Sequence, residues 1–295
     1  MRLSEALELW LLSLQAEGRR PSTLKSYREH LRPLLRSLEG EGVREAHQVT
    51  PFHLRRYLAA YRSGHSPHGA RSVFASLRAF LRFLEREGVL ERSPLSGLRP
   101  PRTPTPARQG YSPGEMRALL ALLQGDRTPL GLRNLAAVSL LLDCGLRAGE
   151  LCRLRLADLA LDGALLVRES KTGRPRTVYL GRRSQQALAR YLSLGRPRLS
   201  PRGDWLLLAE DGGPMSTGAL RQLLRRLGEK VGVKLSAHRL RHTWATQMLR
   251  AGADLETLRL LGGWSGYEMV RQYAHLAQED LRERAGRWSP LDRLG

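Results

Sequence analysis

Residues 238–243 read His-Arg-Leu-Arg-His-Thr, and a tyrosine, Tyr273, follows 31 positions after His242. Because a helix brings residues three and four apart onto one face, His238, Arg241 and His242 are expected side by side. The spacing of the two histidines also suits zinc. However, Glu does not follow the first histidine as in the zinc proteases, and Arg241 would repel a cation. The stretch therefore predicts a helix that binds an anion, with a tyrosine downstream as a candidate nucleophile.

The charge of the chain fits an anionic partner. The 295 residues include 49 Lys and Arg against 28 Asp and Glu, which gives a net charge of +21. Both halves are basic, with about +8 in residues 1–107 and the remainder in 108–295. A polyanion such as double-stranded DNA is the expected ligand, with an affinity that falls as salt rises.

Other classes of protein find little support in the sequence. A Gly-x-x-x-x-Gly-Lys phosphate loop and a paired-carboxylate metal site are both missing, so we expect neither cofactor nor metal. No apolar run is long enough to span a bilayer, so we expect no membrane partner and a cytoplasmic location.

The pattern of apolar residues predicts two domains. Four amphipathic helices in residues 1–92, at 3–17, from 21 to 39, from 51, and from 67 to 88, form a small helical domain. Five of the 16 prolines fall in the stretch 93–109, which is predicted to be an extended linker. Residues 110–295 form a larger second domain.

The second domain is predicted to be mainly helical, with a small antiparallel sheet. Two short β-prone runs flank Thr-Gly-Arg-Pro at 172–175, and a third run is a candidate strand. The predicted strands are 165–169, 176–180 and 205–208, and the helices are 113–123, 129–143, 182–193, 216–228, 237–250, 255–261, 266–274 and 277–287.

Three further residues could take part in the chemistry. Arg147 stands between Gly145 and Gly149 at a helix junction, which favours an anion. Taken alone, the motif also fits a surface arginine in a turn, which is the more common case. Lys171 precedes the hairpin turn, where a lysine could donate a proton, or could simply be a solvated side chain. Trp264 could pack in the core or donate its indole N–H to a phosphate.

Six short blocks, in order along the chain, together resemble the tyrosine recombinases of the integrase and Xer type. The blocks are Tyr111-Ser112-x-x-Glu115, Gly145-Leu146-Arg147-x-x-Glu150-Leu151, Lys171 with Arg176, Val178 and Leu180 after it, His238-x-Leu240-Arg241-His242-Thr243, Leu261-Gly262-Gly263-Trp264, and Tyr273-Ala274-His275. Trp264 stands where the family commonly has a third histidine, and both rings offer an N–H. The residues after Trp264, Tyr267-Glu268-Met269-Val270, are more typical of phage and mobile-element integrases.

The resemblance implies a set of site residues. The catalytic residues would be Arg147, Lys171, His238, Arg241, Trp264 and Tyr273, with Glu150 and His242 in supporting positions. Tyr273 would attack a DNA phosphodiester and form a 3′-phosphotyrosyl link, while the two arginines hold the non-bridging oxygens. Trp264 would add a hydrogen bond, Lys171 would protonate the leaving 5′-oxygen, and His238 would exchange the tyrosine proton.

The resemblance also implies an assembly. The family joins an N-terminal SAM-like core-binding domain to a catalytic domain, and the two form a clamp around DNA. Four protomers, of one recombinase or of two partner recombinases, act on synapsed sites. The predicted C-terminal helix, 277–287, either docks on a neighbouring protomer or folds back on its own domain.

Three functions remain open on the sequence alone. The first is site-specific recombination, either Xer-type resolution of chromosome or plasmid dimers or integration of a phage or mobile element. The second is a type IB-like topoisomerase, which shares the arginines, the lysine and the tyrosine. The third is an accessory protein that binds DNA without cutting it. The helical N-terminal domain and the complete residue set favour recombination.

Overall fold

The computed structural model describes residues 1–103, 110–168, 175–271 and 273. Its contacts divide the chain into two compact units, Met1–Pro106 and Ala107–Gly295. The fold is mainly helical with a small antiparallel sheet, as the sequence predicts. Among the described residues, no helix is both long enough and apolar enough to cross a membrane.

The N-terminal unit consists of four helices whose starts are encoded locally. Thr50 and Ser66 accept hydrogen bonds from the backbone N–H groups of His53 and Gly69 at the starts of the third and fourth helices. Proline in the first turn of three of the helices fixes the backbone angle there. The helices are α1 Leu3–Ala16, α2 Pro21–Gly40, α3 Pro51–Gly64 and α4 Pro67–Arg86.

Trp10 lies at the centre of the N-terminal core. Its ring centroid is 4.6 Å from that of Tyr27 and 5.5 Å from that of Phe80. Leu95, which lies in the predicted linker, is also buried in this core. The first residues of the 93–109 stretch therefore pack on the helical unit, while residues 104–109 lie outside the described residues.

The C-terminal unit is built around α6, which is buried along most of its length. Helices α5, α8 and α10 pack against it. The helices are α5 Pro113–Gly125, α6 Pro129–Cys144, α7 Ala148–Cys152, α8 Arg182–Arg190, α9 Thr217–Val231, α10 Ala237–Arg250 and α11 Leu255–Gly262. Residues 268–271 are also helical, as is Tyr273. The predicted helix 277–287 lies outside the described residues.

The sheet of the described residues has two antiparallel strands, β1 Ala164–Val167 and β2 Arg176–Tyr179. The register pairs Val167 with Arg176 and Ala164 with Tyr179.

The third predicted strand, at 205–208, is wrong. Trp205 and Leu208 make only isolated bridges, to Arg155 and Pro214. The intervening leucines are fully buried in the core of the unit. Their apolar run reflects burial against helices rather than pairing in a sheet, and periodicity alone cannot separate the two.

Candidate active site

Arg241 is a buried cation on α10. Ser236 caps this helix, and the Arg241 side chain points inward and is only 5% exposed. Its Nη1 and Nη2 atoms donate to the carbonyl oxygens of Gly145 and Gly262. Its guanidinium carbon also lies 4.4 Å from the centroid of the Trp264 ring. The carbonyls of Gly145 and Gly262 and the ring of Trp264 thus hold this guanidinium in one orientation.

Arg147 lies beside it because α6 ends in a left-handed glycine. Gly145 has a φ of +58°, which turns the chain sharply before α7 begins. The Arg147 Nη1 atom donates to Glu150 Oε1 at 2.7 Å, and Nη2 donates to the Gly263 carbonyl at 3.2 Å. The side chain is about one quarter exposed, so part of it is open to solvent.

Glu150 is the buried anion of the site. It accepts two hydrogen bonds from Arg176, at 2.8 and 3.1 Å, and one from the backbone N–H of Arg147 at 2.9 Å. Burial alone would raise the pKa of Glu150, but the hydrogen bonds and charge of Arg176, and then of Arg147, outweigh it and lower the pKa to about 2. The carboxylate is therefore ionised at neutral pH.

The electrostatic balance of the site favours an anionic ligand. Burial and then the positive charge of Arg147 lower the pKa of Arg241. A guanidinium nevertheless stays protonated in proteins. Arg147 and Arg176 both pair with the single Glu150 carboxylate, and Arg241 adds a third guanidinium at the neighbouring Gly262 carbonyl. The positive charge that is left over would be stabilised by a phosphate.

Tyr273 packs in the same region. It is 3% exposed and belongs to a cluster that includes Trp244 and Trp264. The centroid of its ring is 4.8 Å from that of His242, edge to face, and 6.0 Å from that of Trp264. The guanidinium carbon of Arg241 lies 4.4 Å from the centroid of the same Trp264 ring, so the phenol and the buried guanidinium both pack near one indole.

The two histidines of the 238–243 stretch have different environments. His238 lies in the first turn of α10 and is exposed, whereas His242 is buried. His242 Nδ1 is 3.4 Å from Thr246 Oγ1 one turn later. The buried histidine contacts the tyrosine, and the exposed one lies on the same helix, open to solvent.

The described contacts bring six of the eight predicted residues together. These are Arg147, Glu150, Arg241, His242, Trp264 and Tyr273. His238 is on the helix that carries two of them. Lys171 lies outside the described residues.

The sequence did not assign a role to Arg176, although it stands in one of the six blocks. The only signal was that Arg176 alternates with the apolar residues Val178 and Leu180 along a predicted strand. Nothing in the sequence identifies its partner. Tyr111 and Ser112, from another block, have structural roles. The Tyr111 N–H donates to Thr243 Oγ1 at 2.8 Å, and Ser112 caps α5.

Metal ligands are not clustered in the described part of the chain. No group of three or more His, Cys, Asp or Glu side chains there could hold a metal ion. The described charged side chains of the site are three arginines and one carboxylate, Glu150.

Comparison with known proteins identifies the family. Residues 112–280 match the model of the phage integrase family, and residues 7–88 match the phage integrase N-terminal SAM-like domain. The chain therefore belongs to the phage integrase family.

Three similar proteins illustrate the relationship. Tyrosine recombinase XerC of Bacillus pumilus is 34% identical over 163 residues, which is 53% of this chain and 53% of that protein. The crystal structure of XerA recombinase is 27% identical with a TM-score of 0.54, covering 97% of this chain and 99% of that one. A lambda integrase(75–356) dimer bound to a COC′ core site has the same fold, with a TM-score of 0.75 at 19% identity over 91% of this chain and 97% of that one. The matched region spans about half the length of the curated relatives.

Proposed function

We propose that this protein is a site-specific recombinase that cuts and rejoins double-stranded DNA through a 3′-phosphotyrosyl intermediate. The observation that carries the proposal is that Tyr273 and the buried guanidinium of Arg241 pack near the same Trp264 ring, with 6.0 Å between the two ring centroids and 4.4 Å from the guanidinium carbon to the indole centroid. A phenol with an ordinary pKa near 10 is a poor nucleophile, and adjacent cations favour its ionised form. A phosphate held by the same cations would face that oxygen.

In the proposed reaction the Tyr273 oxygen attacks the scissile phosphorus. A bond forms from phosphorus to the tyrosine oxygen, and the bond to the 5′-oxygen of the next nucleotide breaks. Arg147 and Arg241 hold the non-bridging oxygens and offset the charge that builds up in the transition state. Trp264 adds a hydrogen bond from its indole N–H.

Two protons move in this step. His238 takes the phenol proton, and Lys171 gives a proton to the leaving 5′-oxygen. The attack of a 5′-hydroxyl from another strand reverses the step and regenerates the free tyrosine. Because the phosphotyrosyl link keeps the bond energy of the phosphodiester, rejoining needs neither ATP nor a metal.

Glu150 and His242 support this chemistry without touching the DNA. Glu150 aligns Arg147 through the 2.7 Å hydrogen bond. His242 packs its ring edge to face with the Tyr273 ring and restrains the direction in which the phenol points.

The similarity to XerC favours an Xer-type role over integration of a phage or mobile element. That role is the resolution of chromosome or plasmid dimers, coupled to chromosome segregation and cell division in a bacterial cytoplasm. The working form is a tetramer on two synapsed sites, made of this chain alone or with a partner recombinase. Both units are basic, and both take part in binding this DNA.

The experiment is to incubate the protein with a suicide duplex nicked close to its cleavage site. We expect a covalent protein–DNA adduct that denaturant does not dissociate and that protease digestion reduces to a phosphotyrosyl peptide. Absence of the adduct on every site selected from the protein's own genome would disprove the recombinase. Relaxation of supercoiled plasmids lacking the site would instead support a topoisomerase.

A further inference from the structure

Arg176 connects three segments that surround the proposed active site. It begins β2, and its Nε donates to the carbonyl of Leu261, near the end of α11, at 2.7 Å. Its Nη1 and Nη2 atoms make a bidentate ion pair with Glu150 at 3.1 and 2.8 Å. Since Glu150 in turn binds Arg147, the strand, the α7 helix and the α11 terminus are joined through one guanidinium.

The turn after α11 is built to fit this side chain. Gly263 has a φ of +62°, and a Cβ atom there would lie 2.9 Å from Arg176 Nη1. A larger residue would therefore displace the guanidinium. The carbonyls of Gly262 and Gly263 accept hydrogen bonds from Arg241 and Arg147, so the turn that Arg176 packs against also orients both phosphate-binding arginines.

Its hydrogen bonds distinguish Arg176 from those two arginines. Each of its three nitrogens already donates to the protein, whereas the side-chain hydrogen bonds described for Arg147 and Arg241 use only Nη1 and Nη2. Arg176 therefore has few donors left for a phosphate. An arginine of this kind acts through its neighbours, because its planar guanidinium, hydrogen-bonded at all three nitrogens, fixes the positions of its protein partners instead of binding a ligand.

We propose that Arg176 is a positioning residue that sets the orientation of Arg147 through Glu150, and the place of the Gly262–Trp264 turn through Leu261. The proposal rests on the recombinase function above. It implies that Arg176 controls the rate of strand cleavage and contributes little to the affinity for DNA.

The test compares Arg176→Gln and Arg176→Lys with Arg225→Gln. Arg225 is an exposed arginine on α9, paired with Glu229, so its loss controls for the change in net charge. The rate of adduct formation on the nicked duplex is measured at increasing DNA concentration, and DNA affinity is measured at several salt concentrations. Thermal unfolding identifies any variant that does not fold.

For Arg176→Gln we expect a cleavage rate at saturating DNA about 10²-fold lower, as for other small displacements of catalytic groups. The half-saturating DNA concentration and the salt dependence should stay close to those of Arg225→Gln. Arg176→Lys, which keeps the charge and loses the fork, should recover part of the rate. If Arg176→Gln does not fold, the cleavage rate of Arg176→Lys is compared with that of Arg225→Gln instead, and a lower rate for Arg176→Lys supports the proposal. Combining Arg176→Gln with Glu150→Gln should slow cleavage no further than the more severe single change.

Three outcomes would overturn the proposal. The first is a cleavage rate for folded Arg176→Gln equal to that of Arg225→Gln. The second is a salt slope lower by about one than that of the control, which would make Arg176 a phosphate ligand. The third is a double variant in which Arg176→Gln and Glu150→Gln slow cleavage by the full product of their separate effects. If the unaltered protein forms no adduct, the recombinase function itself fails and this proposal with it.

Discussion

His242 meets Tyr273 edge to face, with ring centroids 4.8 Å apart and ring planes at 82°. Aromatic pairs of this geometry contribute about 0.5–1.5 kcal/mol beyond the burial of their area. The centroid of the Trp264 ring lies 6.0 Å from that of Tyr273. The proposed nucleophile is therefore restrained by packing, like a core residue.

Tyr273→Phe should abolish the covalent adduct and leave DNA binding nearly intact. The ring contacts survive in phenylalanine, so the free energy of unfolding should change by about 1 kcal/mol, the usual worth of one hydroxyl hydrogen bond. Adduct formation on the nicked duplex and a gel-shift titration measure the two effects. Tyr267→Phe is the control, because Tyr267 is an exposed tyrosine whose hydroxyl donates a hydrogen bond to Glu256. If the Tyr273→Phe variant still formed a covalent adduct, Tyr273 would not be the nucleophile.

Trp264→Phe separates the indole N–H from the packing of the ring. Phenylalanine still packs near Trp244 and under Arg241, so stability should fall by less than about 1.5 kcal/mol. The lost hydrogen bond to a charged phosphate should slow cleavage about tenfold. Trp264→Ala should destabilise the protein by about 3–5 kcal/mol. Thermal unfolding and single-turnover cleavage test both, and an unchanged rate for Trp264→Phe would exclude a role for the N–H.

Glu150 should make part of the stability depend on pH. Its folded pKa, about 2, lies below its ordinary value of 4.5. The stabilisation is therefore complete above about pH 4.5 and is lost as the pH falls toward 2. Glu150→Gln should lower the free energy of unfolding by about 3 kcal/mol at neutral pH, and the difference from the unaltered protein should shrink toward zero near pH 2.

Urea unfolding at a series of pH values measures this difference. Glu229→Gln is the matched control, since Glu229 is an exposed carboxylate in an ion pair with Arg225. Such surface pairs contribute about 0.5 kcal/mol or less, so this variant should lose far less stability at neutral pH than Glu150→Gln. A pH-independent loss in Glu150→Gln would argue that packing, rather than charge, explains its effect.

Gly145→Ala should be far more damaging than Gly232→Ala. Both glycines end a helix with positive φ, +58° and +69°, so an alanine at either position costs about 1–2 kcal/mol in the left-handed backbone. A Cβ at Gly145 would also lie 2.1 Å from the Trp244 ring, whereas one at Gly232 has nothing within 4 Å. Thermal unfolding should show a loss several-fold larger for Gly145→Ala. Equal losses would contradict the close packing of Trp244.

The sequence alone determined the helical architecture and indicated the family. Helix starts are set by residues such as Ser112 and Thr50, whose side chains cap the backbone next to them. Those signals are local, and so they can be read without knowing the fold. The order of the six blocks likewise indicated the family before any contact was known.

Only the tertiary structure decided which residues share the site and how they are held. Glu150 and Arg176 are 26 positions apart, and nothing local marks them as partners. The burial of His242 beside the tyrosine, the exposure of His238 and the failure of the 205–208 strand also depend on what lies across the core. Local sequence specifies hydrogen bonds within a few residues, whereas long-range ion pairs and burial are set by packing between segments that are distant in the chain.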